Sequence, residues 1–538
     1  MSSLSSREPS FSGLPRRSPD TTPGAAATLS AATLSAAALA PSAPTTATPG
    51  PLAGQSQPMT PHLDFPQTAP PPPPPTPDEA ARARLIELRD AACETARPKV
   101  KAGAAPIRVM AAMVAQLEAE CRAEGIPPEI MAAGIVNRTI GDVDVRKISA
   151  RDDGPEYVSL ADDLGLALPG EVVGGSTATG KRYRWIRQQM MRFERALLDR
   201  HFDLRIYDLP ATGNPLLREM LAEHAQRHWG FAVPPAQIYL SLGSLDGLHK
   251  FFGGYAFGRR QSGHDATAVL FPAPGFNVPE WQAKSVGLRI HRLQTTPEDG
   301  FKVTPAQLQA ALVAAPDISA FYLTVSSNPT AFAYTPEELA ALFDVLVAAD
   351  REVLILADLA YIGTGDPAED RARMHAFNRP EVLARSVLFN SFSKTHTLTG
   401  DRFGWVAFGA PELAAFVGTG WANSIASLPA DWQLRYMAVV RLFKEHPEIE
   451  ERIRALYRHR RARLVRQLQR LDERHHVFAH INLDDGGTVY NWSQLTPGED
   501  VFSLFGKTGI AGVPGSAFGY GDDFVRLSVG CIPVPEGE

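Results

Sequence analysis

Lys394 stands in the stretch Ser391-Phe392-Ser393-Lys394-Thr395, and a Gly-x-Arg-x-Gly turn carrying Arg402 follows it. Hydroxyls before a lysine and an arginine after it suit a Schiff-base lysine beside a phosphate clamp. A lysine amine attacks an aldehyde only when uncharged, which a partly desolvated, cationic pocket favours. A planar guanidinium can grip a phosphate with its fork of donors and add to that field. Taken alone, Ser-x-Ser-Lys is common and more often describes a lysine that ends a buried strand, here 386–391, and snorkels to solvent.

The elements that must position such a lysine are legible around it. Residues 351–358 form an apolar run ending in Asp358, with Tyr361 three residues later. A strand of that kind is buried on both faces, so its carboxylate needs a partner unless it merely caps the next helix. The run 318–327 stops at Asn328-Pro329, and Thr335-Pro336-Glu337-Glu338 then reads as a helix start with a capping box. The run 238–242 breaks at Gly243 and opens a helix at Ser244 and Leu245, whose free amides could take an anion. A further strand ends in Pro274-Gly275-Phe276, and Phe524-Val525-Arg526-Leu527-Ser528 puts an arginine in a strand, where it needs an anionic partner such as an α-carboxylate. Tyr207 opens a loop that runs to Gly213.

In this order, from Tyr207 to Ser528, the parts resemble those of the class I/II aminotransferases among the fold type I pyridoxal-phosphate (PLP) enzymes. The resemblance implies a PLP-dependent aminotransferase acting on an amino acid and a 2-oxo acid. It implies an α/β fold in which a three-layer large domain with a mostly parallel sheet joins a smaller α+β domain. Lys394 would hold the cofactor and act in catalysis with Asp358 and Tyr361. Asp358 would keep the pyridine nitrogen protonated, and Tyr361 and Asn328 would contact the ring's 3-oxygen. Gly243, Ser244 and Leu245 would cradle the phosphate with Ser391, Ser393 and Arg402, while Phe276 would stack on the ring. Tyr207 would reach the neighbouring subunit's phosphate, which implies a homodimer with shared active sites. Arg526, with Asn328, would hold the substrate carboxylate, and no metal is implied.

Two departures stand out. Ala331 replaces the glycine of the family's Asn-Pro-Thr-Gly turn, which implies a slightly altered turn rather than a lost contact. Few residues follow Ser528, where the family continues into another helix. The same frame also supports a decarboxylase, a carbon–sulfur lyase or a cyclopropane-forming synthase, and a non-catalytic PLP-binding regulator is a further reading. The last usually carries a DNA-binding module in front, for which the helices here show no basic recognition face.

The chain has 538 residues, 44% of them hydrophobic, and a net charge of −6, which gives no general attraction for nucleic acid. Residues 1–77 are rich in Ala, Pro, Ser and Thr and end near the run Pro70–Pro75, so they read as a disordered tail. Arg7, Arg16 and Arg17 give the tail a faint likeness to a transit peptide, though a plain disordered extension or a misplaced start codon fits better. Residues 78–206 read as a helical lead-in and part of the small domain, 207–428 as the large domain, and 429–538 as the small C-terminal domain. No stretch has the apolar length of a membrane span. Cys93, Cys121 and Cys531 lack metal spacing and are odd in number, so a reducing cytoplasm is expected. In the arginine-rich stretch 446–468 the apolar residues recur at helical spacing, and the arginines are expected to form the solvated face.

Overall fold

The apolar runs become strands that stack side by side. This computed structural model describes residues 76–143, 145, 160, 163–164, 179–206, 211–264, 267–483 and 489–530. The tail before Thr76, Tyr207 and Cys531 lie outside these residues; Cys93 and Cys121 are free and buried. A two-residue strand, β1 (Val136–Asn137), comes first. The central strands follow: β2 (Ile238–Leu242), β3 (Ala268–Ala273), β4 (Arg289–Gln294), β5 (Ile318–Thr324), β6 (Leu354–Asp358), β7 (Ser386–Ser391) and β8 (Phe403–Phe408). They form one seven-stranded sheet in the order β2-β8-β7-β6-β5-β3-β4. The pairs from β4 through to β7 are parallel, whereas β8 is antiparallel to both β7 and β2.

Strand periodicity explains why the sheet is covered on both sides. Phe321, Ile355 and Leu388 join one hydrophobic cluster, while Tyr322, Leu356 and Phe389, one residue later on each strand, join another. Helices cover both faces. The one at Pro336–Ala348 starts as read from the sequence, with Thr335 accepting from the Glu338 amide at 3.2 Å and Glu338 accepting from the Thr335 amide at 2.8 Å.

Beyond the central sheet, β9 (Phe478–His480), β10 (Tyr490–Leu495), β12 (Val513–Pro514) and β13 (Phe524–Ser528) make an antiparallel sheet in the order β12-β13-β10-β9, and β11 (Ile510–Ala511) pairs in parallel with β1. That last pairing draws the lead-in across the molecule. Arg138 N then donates to Ala511 O and Ser528 N to Arg138 O, which lays residues 138–143 beside the end of β13.

The long helix Glu448–His475 corrects one expectation. Arg460, Arg461 and Arg463 on it are buried rather than solvated. Buried positions spread over a wider arc than a single amphipathic stripe, because this helix is covered on more than one side. Among the described residues no helix is long and apolar enough to cross a membrane, and no group of three or more His, Cys, Asp or Glu is placed to hold a metal.

Candidate active site

Parallel strands end at the same edge of a sheet, so the loops after β5, β6 and β7 meet there. They border a cavity of about 370 Å³. Asn328, Asp358, Tyr361, Ser391, Ser393 and Lys394 all line it, as do Ser244, Leu245, Phe276, Arg402 and Arg526. Gly243 is not in the wall itself but forms the bend behind it. Every site residue predicted from the sequence and described here thus gathers at one place.

Lys394 lies in a single helical turn, Phe392–Thr395, capped by Ser391, whose hydroxyl accepts from the Ser393 amide at 3.4 Å. Its amine donates to Gly141 O, and its carbonyl accepts from the Tyr457 hydroxyl. Immediately behind, Thr395 Oγ1 sits 2.6 Å from His396 Nδ1, and His396 Nε2 lies 3.2 Å from Glu450 Oε1. With Thr395 donating to Nδ1, the neutral ring donates from Nε2, and the lysine turn is pinned to helix Glu448–His475.

Asp358 is buried at the end of β6. Tyr322 OH donates to its Oδ2 at 2.7 Å, and Ala360 N to its Oδ1 at 3.1 Å. Burial pushes this carboxyl above its ordinary value, against the opposing pull of those two donors. Tyr361 is buried beside it. Asn328 Nδ2 donates to Tyr361 OH at 3.2 Å, and Tyr361 OH in turn donates to Tyr490 OH at 3.3 Å. Burial first, then the neighbouring Tyr490 and Asp358, hold the Tyr361 phenol well above its ordinary value, so it stays protonated.

At the opposite end stands Arg526, 3% exposed. Its Nη1 donates to Asn328 Oδ1 at 3.2 Å and its Nη2 to Thr139 O at 2.8 Å, while Nε has no partner among the described residues. The guanidinium lies over the Tyr490 ring at 4.4 Å and the Phe518 ring at 5.0 Å. A buried cation held by neutral acceptors and ring faces can receive a carboxylate.

The third corner is the start of helix Ser244–Gln261, whose N-cap, Gly243, has φ +86° and offers no side-chain cap. A Cβ on Gly243 would come within 2.4 Å of Arg402 Nη2, so glycine is what lets this guanidinium lie against the bend. Arg402 is held by the carbonyls of Thr399 and Leu242 at 2.8 and 3.3 Å. The one acid in the first turn, Asp246, accepts from Leu242 N at 2.8 Å and pairs with Lys250 at 2.8 Å, which offsets its charge beside a helix N-terminus. Uncapped amides, hydroxyls and an arginine there can hold a phosphate.

Several lining residues were not anticipated: Ile107, Ile140, Gly141 and Asp142 from the lead-in, Tyr490 from β10, and Tyr322 and Thr324 from β5. Tyr322 did leave a signal, since a phenol in an otherwise apolar, doubly buried strand needs a hydrogen-bond partner. Ala331 adopts φ +67°, a left-handed turn without glycine, and Asn328 still bonds to both Tyr361 and Arg526.

The comparisons with known proteins agree with this arrangement. The family model "Aminotransferase class I and II" matches residues 207–534. Aspartate aminotransferase of Geobacillus stearothermophilus is 26% identical over 330 residues, 59% of this chain and 78% of that protein. Aspartate/prephenate aminotransferase of Cereibacter sphaeroides is 28% identical over 326 residues, 59% and 77% respectively. Among solved structures, the aspartate aminotransferase of Rhizobium meliloti superposes with a TM-score of 0.56 at 20% identity, covering 81% of this chain and 93% of that one. That of Thermus thermophilus with maleate gives 0.55 at 20% identity, covering 80% and 94%, and both likenesses speak to the fold. With well over half its length matched, this chain belongs to the class I and II aminotransferase family and is an enzyme that transfers amino groups.

Proposed function

We propose that the enzyme works with pyridoxal 5′-phosphate at the cavity around Lys394, moving an amino group between an amino acid and a 2-oxo acid. The observation that carries this reading is the convergence of a lysine amine, a buried carboxylate, a buried arginine and an uncapped helix start on one space of about 370 Å³. The donor set fits the group. Ser244, Leu245, Ser391, Ser393 and Arg402 would hold its phosphate, with Gly243 shaping the bend. Asp358 would meet its ring nitrogen, Asn328 and Tyr361 its 3-oxygen, and Phe276 its ring face.

When bound, this cofactor supplies an electron sink for negative charge on the substrate's α-carbon. The chain's residues do the rest. Lys394 would hold the cofactor's aldehyde carbon, and its amine would move the proton at the substrate's α-carbon. Arg526, fixed by donating from Nη1 to Asn328 Oδ1, would orient the substrate by its carboxylate and so set which α-bond faces the lysine. Tyr361, which keeps its proton, would turn its hydroxyl from Tyr490 to the 3-oxygen.

The division into a lead-in at 78–206, a large domain at 207–428 and a small domain at 429–538 belongs to this reading. Its support is that the seven-stranded sheet falls within 238–408 and the antiparallel sheet within 478–528. So does a homodimer in which Tyr207 reaches the partner's phosphate, and a cytoplasmic location. The test is to add pyridoxal phosphate to purified protein and then titrate a panel of amino donors. Visible absorbance that an amino donor bleaches and a 2-oxo acid restores is the expected outcome; amine loss without any need for a 2-oxo acid would point to lyase chemistry.

A further inference from the structure

Tyr322 belongs to none of the motifs that located the site, yet it touches the group at its base. It stands on β5, where the register pairs Thr324 with Asp358 of β6 and Tyr322 with Leu356. Alternation along the strands turns Tyr322 and Asp358 to the same face of the sheet, and the length of a phenol spans the diagonal between them. Its hydroxyl donates to Asp358 Oδ2 at 2.7 Å. The ring is fixed by packing: it is 2% exposed, lies 5.1 Å from the Phe271 ring, and lines both the site cavity and a second one of about 180 Å³. Burial foremost, then the adjacent Asp358, holds its own proton on well beyond the ordinary range, so the hydrogen bond runs in one direction only. Among the described residues the carboxylate therefore has two donors, Tyr322 and the Ala360 amide, and further lone pairs to spare.

We propose that Tyr322 is a positioning residue that sets the protonation of the cofactor's ring nitrogen: by donating to Oδ2 it orients Asp358 and keeps it a carboxylate, so that the proton shared between acid and ring rests on nitrogen. The inference depends on the pyridoxal-phosphate reading above. The proton balance is simple. One proton lies between two bases, and whatever stabilises the charged carboxylate moves it toward the ring. A buried carboxylate that loses a donor becomes the better base and draws it back. The other ionisable groups of the cavity, Tyr361, Tyr490, Lys394, Asp142, Arg402 and Arg526, stay in place in the test, so the change is confined to one hydrogen bond.

Tyr322→Phe keeps the ring and removes the donor. With pyridoxal phosphate labelled at the ring nitrogen with nitrogen-15, the wild-type enzyme should give a pyridinium resonance and the variant one displaced toward neutral pyridine. In the cofactor-free protein, infrared spectra with carbon-13-labelled aspartate, assigned through Asp358→Asn, should show the Asp358 acid form persisting to a pH higher by about 1–2 units in Tyr322→Phe, the equivalent of one hydrogen bond to a charged group. Placing 3-fluorotyrosine at position 322, a stronger donor, should move both signals the opposite way, and it serves where the phenylalanine variant folds poorly. Unchanged nitrogen resonance and unchanged Asp358 titration would overturn the proposal. A wild-type protein that takes up no cofactor would instead refute the cofactor reading, and the infrared arm would still decide what Tyr322 does to Asp358.

Discussion

The two ends of the cavity hold buried charges in contrasting ways. Asp358 takes its hydrogen bonds from residues 36 and 2 positions away, one on the neighbouring strand and one in the following loop. Arg526 takes its own from residues 198 and 387 positions away. The acid is thus satisfied by whatever β-register brings beside it, before the rest of the fold matters. The arginine becomes a site only when the lead-in, the Asn328 loop and the antiparallel sheet have all met, and its Nε is still without a partner among the described residues.

Substitutions can break or sharpen that contrast. The largest effect is expected at Lys394, between the two ends. Lys394→Ala should leave no cofactor fixed at this position by borohydride and should slow amino transfer by at least about 10³-fold, since proton transfer by a positioned group contributes roughly 10²–10⁴; normal turnover would refute the assignment. Arg526→Ala should lower kcat/KM by about 30-fold or more, from a loss of at least roughly 2 kcal/mol for a buried charge pair, while the bound cofactor keeps its absorbance. Equal loss of cofactor and substrate binding in that variant would mean that the ends are not independent.

A smaller effect is expected behind the lysine turn. Burial pushes Glu450 up, but the hydrogen bonds with His228 and His396 outweigh it and hold this carboxyl below its ordinary value of 4.5. Because its folded-state value is depressed, the stability it contributes is complete above that pH and is lost as pH falls below it. Glu450→Gln should cost about 2 kcal/mol at neutral pH, the scale of a hydrogen bond to a charged group, and should flatten the acid side of the stability profile measured by urea unfolding. The smallest effect concerns the turn that serves both ends. Ala331→Gly should gain about 0.5–1 kcal/mol, because a left-handed alanine is strained and the entropy lost by glycine offsets only part of the relief, with kcat/KM unchanged.

Much of the site was legible because it is local. Lys394, Asp358, Asn328 and Gly243 each sit where an apolar run stops, and a parallel sheet brings such stops together. The residues that escaped notice lie elsewhere. Gly141, which accepts from the Lys394 amine, is 253 positions from it and arrives through the pairing of β1 with β11 and the bonds of residues 138 and 139 to β13. Tyr490 lies on a strand of the other sheet, and nothing in its own segment marks it as a neighbour of Tyr361. Arg460, Arg461 and Arg463 were misplaced for a related reason: a helical repeat tells which side of a helix is apolar, not how many sides the fold will cover.

What the sequence determined by itself is the strands that end at the site, β2, β3, β5, β6, β7 and β13, and the chemical groups at their ends, since apolar runs, glycine breaks and helix caps act over a few residues. Tertiary structure decided which distant groups those ends would face: the lead-in carbonyls at Arg526 and Lys394, Tyr490 against Tyr361, and Tyr322 beneath Asp358. A hydrogen bond acts over about 3 Å and depends on direction, so its partner is fixed only once packing has fixed both backbones.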